Sequence, residues 1–188
     1  MGEGRNPPNR DREQRGPLGR EEIERNLRLV GRYLHEQGLV GEILLTGGAY
    51  MTLVLRQREA TKDVDAYFAA NAQAVREAAA RVAREEGLPA HWLNDAVKGF
   101  IYTEPDATLW LECPGLRVYA PHPSYIFAMK AVAGRPEDVA DLRALRDTLR
   151  LTSAAEALSI VSRYVPERLL TPRVQYLIEG LFDEEEDA

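Results

Sequence analysis

A single cysteine, Cys113, is present in the 188 residues, which excludes an internal disulfide. The histidines are also few. His35, His91 and His122 have no spacing that suggests metal ligands, so with one cysteine a zinc site is not expected. Cys113 lies beside Pro114 with no basic residue near it in sequence, which argues against a nucleophile. No apolar run reaches the roughly 18–20 residues of a membrane helix. Met1 to Arg20 is polar and rich in Pro, Gly and Arg, without the apolar stretch of a signal peptide. A cytoplasmic location away from membranes is the expectation, by elimination. Excess positive charge is missing too. The formal net charge is −6, and no stripe of Arg interleaved with aromatics occurs, which weighs against a non-enzymatic nucleic-acid binder.

What is there is an ordinary globular composition, 45% hydrophobic and 29% charged, in a chain long enough for one domain with a real core. Residues 1–17 read as a disordered tail, broken by Pro7-Pro8 and Gly16-Pro17. Ile23, Leu27, Val30 and Leu34 recur at helical steps and predict a helix over 18–37 that ends at Gly38. Glu42–Leu45 reads as a buried strand, 49–56 as a helix, and 63–68 as a strand with acidic and apolar residues alternating. A helix over 71–86 is closed by Gly87 and Pro89. The segment 92–101 connects to strands at 108–112 and 116–119 around the turn Pro114-Gly115. Helices are expected at 123–133, 136–149, 153–164 and 172–182, and an acidic tail at 183–188. The expected architecture is therefore α/β (α+β): a small mixed sheet flanked by helices over 18–122, followed by a helical part over 123–182.

The chemistry concentrates between residues 45 and 68. A strand running into Gly47-Gly48 and then a helix exposes backbone N–H groups where a phosphate can approach closely. Asp63 and Asp65 are two apart on a strand, so both carboxylates leave one face, roughly 6–7 Å apart at Cα. Two carboxylates at that spacing suit a hard divalent cation such as Mg²⁺ or Mn²⁺, held together with substrate phosphates. Alone, Gly-Gly is more often a tight turn, and Asp-x-Asp more often a solvated strand face. The combination, in this order with a helix between, is more specific.

The run Gly47-Gly48, helix, Thr61-Lys62-Asp63-Val64-Asp65 resembles the signature of the DNA-polymerase-β-like nucleotidyltransferase superfamily. Within it the chain looks most similar to AbiEii-type toxin nucleotidyltransferases and a closely allied group. That likeness is carried by Trp92-Leu93-Asn94-Asp95 with Gly99-Phe100, by Leu116 to Pro121, by Ala128-Met129-Lys130 and by Arg135 to Leu142. It extends from about residue 20 to 182. The resemblance implies a nucleotidyltransferase fold and an NTP substrate, with Mg²⁺ on Asp63 and Asp65. The acceptor would be a tRNA 3′ end or a protein hydroxyl, and the setting a toxin–antitoxin or phage-defence pair with a cognate partner.

Lys130 sits among Ile126, Phe127, Met129 and Val132, with Arg135 just after Gly134. A lysine so placed usually snorkels to water. Its alternative role is to bind triphosphate oxygens, together with Arg135. Asp138 and Asp141 share a helix face and could form ion pairs with Lys130 or Arg135. By resemblance, Lys130 and one of the two aspartates, with Asp141 favoured, belong to the active site. Glu112 is the candidate for a third metal carboxylate. Asn94 and Asp95 either line an acceptor pocket or cap a turn, and capping is the commoner use. A catalytically silent nucleotidyltransferase fold, serving as an antitoxin or binding partner, is the competing expectation.

Overall fold

A computed structural model describes residues 16–183. The expected tails therefore lie, over 1–15 and 184–188, outside the described residues. The elements in chain order are β1 (Leu18–Gly19), α1 (Arg20–Glu36), β2 (Gly41–Leu45), α2 (Gly47–Leu53), β3 (Ala60–Thr61), β4 (Val64–Ala70) and α3 (Ala72–Glu86). Then come β5 (Leu93–Asn94), β6 (Ala107–Cys113), β7 (Leu116–Pro121), α4 (Pro123–Ala133), α5 (Val139–Leu149), α6 (Ala154–Tyr164) and α7 (Pro172–Glu179). Among the described residues no helix is long and apolar enough to cross a membrane.

Five strands form a mixed sheet in the order β5-β4-β2-β7-β6. β2 is antiparallel to β4 and parallel to β7, β5 is parallel to β4, and β6 is antiparallel to β7. The end of β2 and the start of β4, both interior strands, therefore meet at one end of the sheet. β1 and β3 form a separate two-stranded pair, Leu18 opposite Thr61, too short to leave a pattern in the sequence.

Alternation decides which side of the sheet is dry. Val64, Ala66 and Phe68 of β4, Ile43 and Leu45 of β2 and Val118 of β7 are buried. They join the helical stripes Ile23, Leu27, Val30, Leu34 of α1 and Val75, Ala79, Val82 of α3 in one core. Trp92 is buried with them, and its indole N–H donates to the Ala79 carbonyl at 3.0 Å, so the ring adds apolar area without an unpaired polar atom. The opposite side carries Asp65, Tyr67 and Tyr119, all half-buried. Beyond β7 the chain is helical. α4 is enclosed by α5, α6 and α7, with Tyr125, Ile126, Phe127, Ala128 and Ala131 all buried. The helix expected over 136–149 begins instead as a 3₁₀ turn, Pro136–Asp138, before α5.

Helix α1 lies almost in van der Waals contact with the β6–β7 hairpin. Gly115, in the turn, has φ +79°, and a Cβ there would stand 2.1 Å from the Gly31 carbonyl oxygen and 2.6 Å from the His35 nitrogen. Both are backbone atoms and cannot step aside. Gly38, at φ +69° with open space around it, is the natural control. Gly38→Ala should cost the left-handed strain alone, about 1–2 kcal/mol. Gly115→Ala should lower the unfolding free energy by about 4 kcal/mol or more, read from urea midpoints. Equal costs would show that the helix can move off the hairpin.

Candidate functional site

β2 ends at Leu45, and Thr46, still extended (φ −141°, ψ −175°), caps the start of α2. The Thr46 backbone N–H donates to the Asp65 carbonyl at 2.9 Å, and its hydroxyl donates to the same oxygen at 3.0 Å. These two bonds tie the start of β4 to the glycine turn. Gly47 has φ +56°, and a Cβ there would meet Asp65 Oδ2 at 2.8 Å. A Cβ on Gly48 would meet Thr61 Oγ1 at 2.6 Å. A side chain at either glycine would press on a polar side-chain oxygen, and at Gly47 the left-handed backbone favours glycine as well, before any ligand is considered. Thr61 Oγ1 in turn donates to the Asp63 carbonyl at 3.1 Å.

Asp63 lies in the bend directly before β4, and Asp65 lies within the strand on the side away from Val64 and Ala66; both are half-buried. Burial pushes the Asp63 carboxyl above its ordinary range and the Asp65 charge adds to this, while His91 and Lys62 oppose it. Two carboxylates that repel each other at the edge of a glycine turn fit a hard divalent cation, whose charge would relieve them. Glu112 does not join them. It sits three strands away on β6, opposite Arg117, which in turn is opposite Glu42 at the far end of β2. Arg117 binds both, at 3.2 Å to Glu112 and 3.1 Å to Glu42. Among the described residues no group of three or more His, Cys, Asp and Glu side chains is arranged to hold a metal.

Asn94 pairs in register with Asp65 across β4–β5, yet its Oδ1 accepts from the Ala96 N–H at 3.1 Å, the capping role. Asp95 forms an ion pair with Arg76, which holds its carboxyl below the usual range.

The Lys130 side chain does not snorkel. It is 8% exposed, and its Nζ lies 2.6 Å from Asp138 Oδ1 and 2.7 Å from Asp141 Oδ2. Both aspartates are used, one ending the 3₁₀ turn and the other in the first turn of α5. Asp141 Oδ1 also accepts from Arg58 Nε at 2.8 Å. Arg58 belongs to the loop between α2 and β3, and its Nη1 would lie 3.8 Å from a Cβ on Gly48. The second group of residues is therefore joined to the glycine turn through Arg58. Arg135, expected beside Lys130, is exposed, and its backbone carbonyl accepts from the Asp138 N–H.

Arg58 was not legible as a site residue. It lies in a loop without periodicity, and only its short distance in sequence from Asp63 could have drawn attention to it.

Two outcomes test this geometry. In Asp65→Asn, loss of the like charge should move the Asp63 carboxyl back toward its ordinary range, followed by carboxyl-carbon NMR titration; an unmoved titration would separate the two groups. Lys130→Met leaves Asp138 buried without its cation and should cost about 3 kcal/mol in chemical denaturation. A neutral substitution would mean that water reaches the cluster.

No protein-family model matches the chain, and no curated protein and no solved structure matches it either.

Proposed function

We propose that this protein is a magnesium-dependent nucleotidyltransferase, moving a nucleoside monophosphate from an NTP to a hydroxyl. The single observation that carries the proposal is the approach of Asp65 Oδ2 to Gly47, 2.8 Å from where a Cβ would stand. It sets a carboxylate of the kind that binds hard cations directly against the backbone of the glycine turn. The motif resemblance to the DNA-polymerase-β-like superfamily and its nucleotidyltransferase fold supports the same reading, as does the mixed sheet that brings β2 and β4 together.

In this reading Asp63 and Asp65 hold Mg²⁺ or Mn²⁺. The ion supplies offset for the negative charge that builds on the phosphoryl oxygens. The polyphosphate would lie against the backbone of the Gly47-Gly48 turn, which Asp65 and Thr61 pack against. The acceptor oxygen attacks the α-phosphorus, pyrophosphate leaves, and the hydroxyl proton passes to a carboxylate or to water. Asp138 and Asp141 hold Lys130 rather than act as bases, because each already faces a cation. By resemblance, the acceptor is a tRNA 3′ end or a protein, and the setting a cytoplasmic toxin–antitoxin or phage-defence pair.

A second reading, a silent fold acting as an antitoxin or binding partner, is favoured by the remoteness of Glu112 and the commitment of Lys130 to two carboxylates. A magnesium-dependent thermal shift with an NTP, lost in Asp63→Ala, would count against it.

The direct test incubates purified protein with each labelled NTP, Mg²⁺ and a tRNA pool or candidate protein. Asp65→Ala should reduce label transfer at least about a hundredfold. Equal transfer by wild type and variant would sink the assignment.

A further inference from the structure

Two cations stand near the glycine turn, and they differ in what they can still bind. Lys130 Nζ is clamped between Asp138 and Asp141 at 2.6 and 2.7 Å, with the side chain 8% exposed. Two of its three N–H donors face carboxylates and the side chain is almost enclosed, so little of it is open to an anion. Arg58 is 35% exposed and carries five N–H donors in a rigid plane. Its Nε donates to Asp141 Oδ1 at 2.8 Å, and Nη2 reaches the Glu137 carbonyl at 3.4 Å. No acceptor meets Nη1 among the described residues, and this nitrogen faces Gly48. The residue before it in the turn, Gly47, faces the Asp65 carboxylate. Gly47 thus adjoins a carboxylate, while Gly48 adjoins the Thr61 hydroxyl and, further out, a guanidinium nitrogen with no acceptor of its own among the described residues.

We propose that Arg58, rather than Lys130, binds the polyphosphate of the nucleotide at the glycine turn, with Asp141 as the positioning residue that aims it. The inference rests on the nucleotidyl-transfer reading and deepens it. A polyphosphate carrying a divalent cation has the complementary arrangement: the metal meets Asp63 and Asp65, and the phosphate oxygens meet the guanidinium. Arg suits this role because one edge can be held while another recognises an oxygen. Lys130 serves as the strut. It neutralises Asp138 and shares Asp141, so that Asp141 can hold Arg58 without leaving a buried charge uncompensated.

The test measures binding of inorganic tripolyphosphate, ATP and AMP by calorimetry in Mg²⁺, with folding followed by circular dichroism. Arg58→Gln should weaken tripolyphosphate and ATP roughly tenfold to a hundredfold, the range of one charge-assisted hydrogen bond, and AMP less than threefold. Arg58→Lys should fall between Arg58→Gln and wild type. Asp141→Asn should weaken tripolyphosphate in the wild-type background and add nothing in Arg58→Gln, whereas a merely structural role would add in both. Wild-type affinity in folded Arg58→Gln overturns the assignment and leaves nucleotidyl transfer standing. So does an equal loss for AMP and ATP. If Arg58→Gln does not fold, unchanged tripolyphosphate affinity in Arg58→Lys overturns it instead. A wild-type protein that binds neither ATP nor tripolyphosphate overturns both readings.

Discussion

The Asp65 carbonyl oxygen accepts two hydrogen bonds from Thr46, one from the backbone and one from the hydroxyl. Much of the molecule depends on that doubled contact. It fixes the register of β4 against β2, and in a strand a slip of one residue exchanges the two faces. Here the exchange would bury Asp65 and expose Val64, Ala66 and Phe68, all three now in the core. The hydrophobic core and the carboxylate pair therefore enforce the same register from opposite sides of the sheet. Threonine is suited to the position: it favours extended backbone, and its hydroxyl reaches an oxygen that its own N–H already binds.

A second constraint is electrostatic. Two carboxylates and two cations, Asp138, Asp141, Lys130 and Arg58, meet where α4, α5 and the loop before β3 converge. Their charges sum to zero, so the cluster tolerates burial that none of its members could bear alone. Burial gives it orientation more than stability, since apolar residues of equal volume could fill the same space. What apolar residues could not do is hold a planar guanidinium at a set angle beside Gly48.

The sequence was legible where periodicity speaks. α1, α3 and β4 form within a few residues of their expected limits, because their apolar stripes or alternation face a single core. α2 was expected over 49–56 and instead runs Gly47–Leu53. It starts at the glycines themselves and ends before Arg56, whose φ is +57°. Period two also placed Asp65 on the side away from the core, since that needs only local geometry, while Asp63, expected within the strand, falls in the bend before it. It could not place Glu112. Alternation tells which side a residue faces, whereas its distance from Asp65 depends on strand order, which is set by pairing between distant segments. Lys130 shows a different limit. Water, a ligand and the two aspartates were all open to it in sequence terms, and only the tertiary fold decides for the aspartates, because it buries the pair with the lysine between them.

The hydrogen bond between Arg58 and Asp141 joins residues 83 positions apart. Closing so long a loop is entropically costly and comes late unless something else has already brought its ends together. During synthesis the glycine turn and the Asp pair can be in place while α5 is still unmade, and Arg58 then has no carboxylate to hold it. The N-terminal α/β layer would at that stage present a turn with loosely aimed positive charge. Completion of the helical layer is thus what aims Arg58 at the end of the folded sheet, and the order of emergence from the ribosome delays that step until α5 has been made.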